Sequence, residues 1–218
     1  SLHLSENELD DEGVSHLAAA LKTNSTLTEL DLLRNDITHE GAAHLAEALK
    51  INSTLTQLNL FSNSVTNAGA AHLAEALQTN STLVTLFLHG NPLGDEGVVF
   101  LSGALLVNCG LNALILGSNG ASARASAHLA EALKRNSTLT TLNFGSSYVK
   151  EEGAMQLAGA LKINSSLSTL QLNQSGLRDP GFAHLAEALK SNATLTQLDL
   201  GGSIVTSEGI ACLAEALK

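Results

Sequence analysis

Leucine recurs along this chain with a period of 28 residues. One column reads Leu2, Leu30, Leu58, Leu86, Leu114, Leu142, Leu170, Leu198, and a second reads Leu21, Leu49, Leu77, Leu105, Leu133, Leu161, Leu189, Leu217. No insertion or deletion interrupts either column. A fixed period of this length marks a solenoid of stacked units. Within the unit Leu27 to Thr54, LTELDLLRNDITHEGAAHLAEALKINST, the leucines Leu27, Leu30 and Leu32 fit a short strand with alternate residues turned inward. Asn35 and Ile37 bend the chain. Gly41 to Leu49 then predicts a helix with Ala42, Leu45 and Leu49 on one face. Thr38 is placed to cap its start, and Glu40 suits the positive end of the helix dipole. Asn52 is expected to take the left-handed position after the helix.

One strand and one helix cannot bury their leucines alone, so neighbouring units must stack. Parallel strands sit about 4.8 Å apart, whereas packed helices need roughly 8–10 Å. The wider helical layer must bow the stack by about 25° per unit, with strands inside and helices outside. The column of Ala20, Ala48, Ala76, Ala104, Ala132, Ala160, Ala188 and Ala216 fits close helix packing. The fold class is therefore α/β: eight 28-residue units in a horseshoe arc, with a parallel sheet on the concave face and α-helices on the convex face. One domain spanning residues 1–218 follows from the unbroken period. Neither end carries a polar capping unit, so a piece of a longer protein is expected.

The pattern LxxLxLxxNxIxxxGaxxLAxALxxNxT resembles the leucine-rich repeat of ribonuclease-inhibitor type, and most closely the all-28-residue repeats of NOD-like receptor sensor domains. The resemblance covers the whole chain. It implies a protein-recognition module without catalytic residues or cofactor, such as the sensing or autoinhibitory part of such a receptor or of a related bacterial effector. It also implies an innate-immunity setting in the cytoplasm and a continuous asparagine ladder along the turns. Inhibition of an enzyme and activation of a GTPase are the alternatives within related repeats. This chain lacks the alternating 28- and 29-residue repeats and the many cysteines of ribonuclease inhibitor, and a GTPase activator's catalytic residues map to nothing here. A plain structural spacer is the remaining reading.

Charge and composition narrow the partner. The formal charge is −10, with only 11 Lys and Arg, which disfavours nucleic acid and favours a basic protein partner. Cys109 and Cys212 lie nearly four repeats apart, too far to pair. With no signal peptide in view, free thiols point to a reducing compartment. No apolar run reaches the roughly 18 residues of a membrane span. The sequences Asn24-Ser-Thr, Asn52-Ser-Thr, Asn80-Ser-Thr, Asn136-Ser-Thr, Asn164-Ser-Ser and Asn192-Ala-Thr are formal glycosylation signals, but they recur because the turn recurs. The helix histidines His16, His44, His72, His128 and His184 are at least one helix apart, beyond the reach of a shared zinc.

Departures from the unit locate candidate sites. Leu33, Phe61, Phe87, His89 and Ile115 form an apolar diagonal on the outward strand positions of repeats two to five. The chain has five Phe and one Tyr, and two of these six fall on the diagonal. Glu29, Asp31, Arg34, Asp36 and Tyr148 are expected as its polar edge. An apolar patch with a polar rim reads as an interaction surface. The later concave face, with Gly117, Gly145, Gly201 and Gly202, reads as a spacer. On the convex side, Phe100, Leu106 and Val107 of repeat four replace small or polar types, and self-association through them or through the solenoid ends is the second expectation. Repeat five has Ala121 and Ala125 where other repeats have a larger aliphatic residue and a glycine, and its turn Gly117–Gly120 looks loose. The turn asparagines Asn7, Asn35, Asn63, Asn91 and Asn119 give way to Ser147, Ser175 and Ser203, which predicts a weaker ladder there.

Overall fold

The computed structural model describes residues 1–218. Eight short strands, β1 (Leu2–His3), β2 (Glu29–Asp31), β3 (Gln57–Asn59), β4 (Thr85–Phe87), β5 (Ala113–Ile115), β6 (Thr141–Asn143), β7 (Thr169–Gln171) and β8 (Gln197–Asp199), form one open parallel sheet in chain order. They alternate with helices α1 (Asp11–Leu21), α2 (His39–Leu49), α3 (Asn67–Leu77), α4 (Gly94–Leu105), α5 (Ala123–Leu133), α6 (Lys150–Leu161), α7 (Asp179–Leu189) and α8 (Ser207–Ala216). The register follows the period: Leu30 lies opposite Leu58, Leu58 opposite Leu86, and so on to Leu198. Within each layer, a strand or a helix neighbours only its counterparts in the adjoining repeats. The molecule is thus a solenoid with the sheet on its inner face and one leucine seam between the layers. No helix is long and apolar enough to cross a membrane.

The strands span three residues, yet inter-repeat bonding runs further. The residue after each concave column, Glu6, Arg34, Ser62, Gly90, Ser118, Ser146, Gln174 or Gly202, has a left-handed φ between 51° and 72°. This conformation aims its amide at the next repeat, so that Arg34 N donates to Phe61 O and Ser62 N to His89 O, both at 2.9 Å. Six of these eight residues are not glycine. Each carries the Cβ penalty of about 1–2 kcal/mol that this conformation imposes.

The helix ends are built differently from the expectation. Lys50, after α2, stays right-handed, and Asn52 is not among the left-handed residues. Asn52 is buried instead. Its Nδ2 donates to the carbonyls of Leu21 (2.8 Å) and Asn24 (3.0 Å) in the preceding repeat. Its Oδ1 accepts from the amides of Thr54 (3.0 Å) and Leu55 (2.8 Å). Asn80, Asn108, Asn136, Asn164 and Asn192 repeat this pattern. The amide nitrogen that a glycan would need is therefore already committed at these residues.

The second asparagine column behaves as the sequence predicts. Asn63 Nδ2 donates to Leu32 O (3.0 Å) and Leu60 O (3.1 Å), and its Oδ1 accepts from Ile37 N. Serine does less: Ser147 reaches only Gly145 O at 3.5 Å, and Ser175 reaches Phe144 O at 3.4 Å. Asn119 sits at the break. Its Oδ1 accepts from Asn91 N (2.8 Å), but its buried Nδ2 has no partner. The preceding turn, Asn91-Pro92-Leu93-Gly94, closes on itself through Leu93 N to Asn91 O, so Leu93 does not reach Asn119 as Val65 reaches Asn91. The turn of repeat five is not loose, since Gly94 N and Ser118 N both tie it to neighbours.

Repeat five also resolves its two odd alanines. At the other helix starts a glycine faces a methyl group or the Cβ of the turn residue four positions earlier. A Cβ on Gly69 would lie 2.7 Å from Val65 Cγ1, and one on Gly153 2.7 Å from Val149 Cγ1. Ala121 has no γ-carbon, which leaves room for the Cβ of Ala125, and both are fully buried. The pair is a compensated exchange of volume.

Candidate concave binding surface

On β2, β3, β6 and β8 the last strand residue is Asp31, Asn59, Asn143 or Asp199. Its side-chain oxygen accepts the amide two residues on: Asp31 Oδ1 from Leu33 N (3.0 Å), Asn59 from Phe61 N (3.0 Å), Asn143 from Gly145 N (2.9 Å), Asp199 from Gly201 N (2.9 Å). Asp31 therefore has a structural task in its own turn; it also lies 3.8 Å from His3 Nδ1. Phe87 and Ile115 occupy the same column on β4 and β5, opposite each other in register. Neither can accept an amide. Repeats four and five thus forgo a bond made in four other repeats and place hydrocarbon on the concave face instead.

The neighbouring column carries Leu33, Phe61 and His89, all half-buried. The Phe61 and His89 rings stack with centroids 4.8 Å apart and planes inclined by 12°, an offset arrangement favoured by about 0.5–1.5 kcal/mol beyond area burial. On its far side His89 lies over Gly117. A Cβ there would stand 2.5 Å from His89 Nδ1 and 2.9 Å from Gly145 O. Gly117 is therefore the seat of the imidazole rather than a spacer, and Gly145 similarly makes room for the Asn173 amide. Their sequence signal is a bulky residue one period away from a glycine in the same column. Burial lowers the imidazole pKa of His89 below its usual 6.5, so the stacked ring is neutral at pH 7.

The expected polar edge separates into two places. Glu29 is half-buried on β2 and Asp36 is exposed on the following turn. Arg34 is exposed, with Nη1 2.7 Å from Glu6 Oε1. These three lie in repeat two, on the N-terminal side of the rings. Tyr148 does not join them. It is 66% exposed on the turn before α6, where its backbone bridges to Ser122 and its surroundings include Arg124, His128 and Lys150. On the convex side, Phe100 (45% exposed) of α4 and Leu106 (46%) and Val107 (64%) just beyond it lie at the surface. They interrupt a belt of ion pairs such as Lys50 with Glu47 and Glu75 and Lys134 with Glu131. Phe144 and Phe182 belong to the core. No three His, Cys, Asp or Glu side chains converge as metal ligands would.

No curated protein sequence matches the chain. Among solved structures, leiomodin-1 actin-binding site 2 is similar with a TM-score of 0.60 and 22% identity, over 66% of this chain and 84% of the other. A tropomodulin C-terminal domain from Caenorhabditis elegans has a TM-score of 0.53 and 18% identity, over 69% of this chain and 92% of the other. At these identities the likeness is one of fold. The family model described as Leucine Rich repeat matches residues 1–18, 23–46, 52–74, 79–102 and 191–214, just over half of the sequence. The chain belongs to the leucine-rich-repeat family.

Proposed function

We propose that this domain is a non-catalytic protein-recognition module that receives its partner on the concave face of repeats two to five. Leu33, Phe61, Phe87, His89 and Ile115 form the contact surface. The observation that carries this reading is the exchange at Phe87 and Ile115. Four of the eight repeats use Asp or Asn there for their own turns. Of the four that do not, repeats one and seven carry the polar His3 and Gln171, and only the adjacent repeats four and five carry hydrocarbon. An apolar, half-exposed surface built at a local structural cost is what a docking site requires. The surface offers rings, two aliphatic side chains and backbone, a set suited to contact rather than to bond making.

The unbroken 28-residue period supports placing the module among sensors or autoinhibitory regions of NOD-like receptor type, or among related effectors. Capture experiments with Phe61→Ala/Phe87→Ala test the surface. The double variant is expected to keep its circular dichroism and melt within a few degrees of the parent while losing the captured partner. Equal capture would refute the site, and a large fall in melting temperature would place the rings in the core. Ribonuclease, GTPase and actin co-sedimentation assays with the purified domain address the inhibitor, the activator and the activity named for the leiomodin structure. A change in any of them would redirect the assignment.

A further inference from the structure

We infer that the partner segment is cationic, and that its apolar anchor and its basic residues lie about four residues apart; this rests on the concave surface being the docking site. The strands and the turns after them comprise residues 1–9 and their seven equivalents 28 apart. Across these positions Arg34 is the only Lys or Arg, and Glu6 already pairs with it at 2.7 Å. The other ten of the 11 Lys and Arg lie on helices or the residues flanking them. Carboxylates on the same strand and turn positions number six, and five of them fall in repeats one and two: Glu6, Glu29 and Asp31, with Glu8 and Asp36 at the rim position that Tyr148 takes in repeat six. Repeats three to five contribute none, and their one titratable group, His89, is held neutral by burial.

The inner face and its rim therefore have an acidic N-terminal end without a free cation, followed by the uncharged apolar patch. Steered association favours an oppositely charged segment at such an end. Nucleic acid, anionic lipid and a second copy of this chain, itself at −10, are all repelled by it. The spacing follows from the sheet. Glu29 lies opposite Gln57 and, one strand further, Thr85. Phe61 and Phe87 follow these further along the same two repeats, which puts the rings about 12–14 Å from Glu29. An extended peptide covers that distance in about four residues. The fitting ligand is thus a polypeptide stretch with Lys or Arg at that spacing from an aromatic or large aliphatic residue.

The test is selection of displayed random peptides of about a dozen residues on the whole domain at low salt. Enriched peptides should carry a net positive charge and one large apolar residue at the stated spacing. Glu8→Gln/Glu29→Gln/Asp36→Asn, which spares the Leu33 amide held by Asp31, should weaken their binding roughly 5–10-fold and flatten its salt dependence. A pool that depends on Phe61 and Phe87 but has no excess of Lys or Arg overturns the charge inference and leaves the site standing. A pool indifferent to Phe61→Ala/Phe87→Ala overturns both, as does failure to enrich. Concentration-dependent dimers that vanish in Phe61→Ala/Phe87→Ala would give the surface to a second copy and also overturn the inference.

Discussion

His89 is held between the Phe61 ring and the bare backbone of Gly117, and its charge state is tied to that packing. Its folded pKa lies below the ordinary value of 6.5. Between the two values the unfolded chain binds more protons, so stability is full above about pH 6.5 and falls as the pH drops below it. Chemical denaturation at pH 7.5 and 5.5 should show this loss in the parent and a smaller one in His89→Gln. The NMR titration of the imidazole should move toward 6.5 in Phe61→Ala. Asp11 is shifted in the same direction, but by hydrogen bonds to its charged form. Burial pushes its carboxyl up, but bonds from Thr38 Oγ1 (2.5 Å), Thr38 N and Gly41 N (both 2.8 Å) outweigh it and leave the pKa lowered. Its contribution is present above the ordinary carboxylate range and is lost as pH falls through the folded value. The alanine pair of repeat five gives a third test at this scale. Ala121→Val should destabilise by about 1–3 kcal/mol through overpacking against Ala125. Adding Ala125→Gly should recover most of that in thermal melts, because it restores the volume exchange of the other repeats.

At the scale of the element, each repeat is fastened to its predecessor by one asparagine after its helix. Asn80 Nδ2 donates to Leu49 O (2.7 Å) and Asn52 O (3.2 Å), and Oδ1 accepts from Thr82 N (3.0 Å) and Leu83 N (2.8 Å). Asn80→Ala strands two carbonyls and two amides in a buried turn. The expected cost is about 2–4 kcal/mol in denaturant unfolding, with far less for the neighbouring exposed Thr79→Ala. The sequence shows this column plainly as seven consecutive asparagines, yet the expected left-handed role for Asn52 was a rule for isolated helices. In a stacked array the carbonyls of the preceding turn lie within reach, and the side chain serves them instead. Asp31 carries the same lesson. Its spacing marks it as outward on the strand, but only the folded turn reveals that its carboxylate is occupied by the Leu33 amide.

For the whole molecule, contacts run only between adjoining repeats, so stability is a sum of local and nearest-neighbour terms. The turn ladder weakens after Asn119, and the C-terminal repeats should open at lower free energy in native-state hydrogen exchange. Leu177 N marks the gap: in repeats two and three the matching amides of Ile37 and Val65 bond to Asn63 and Asn91, whereas repeat eight offers Ser203, whose Oγ donates to Leu200 O. Ser203→Asn should supply the missing acceptor, slow exchange at Leu177 and add about 1 kcal/mol of stability. Unchanged exchange at Leu177 would show that the serine turns are not the weak link.

The 28-residue period alone determined the strand, the helix, their order and the leucine seam, because a repeat without insertions leaves one way to bury the same residues eight times. It also placed Phe61, Phe87, His89 and Ile115 on a single face, since strand side chains alternate and the register equals the period. What required the tertiary structure were relations between different columns and repeats: the imidazole lying over Gly117, the carboxylate of Asp31 turned to its own chain, the removal of Tyr148 to the rim, the volume shared by Ala121 and Ala125. Those depend on distances of a few ångströms between side chains, and a one-dimensional pattern records which residues recur but not which of them touch.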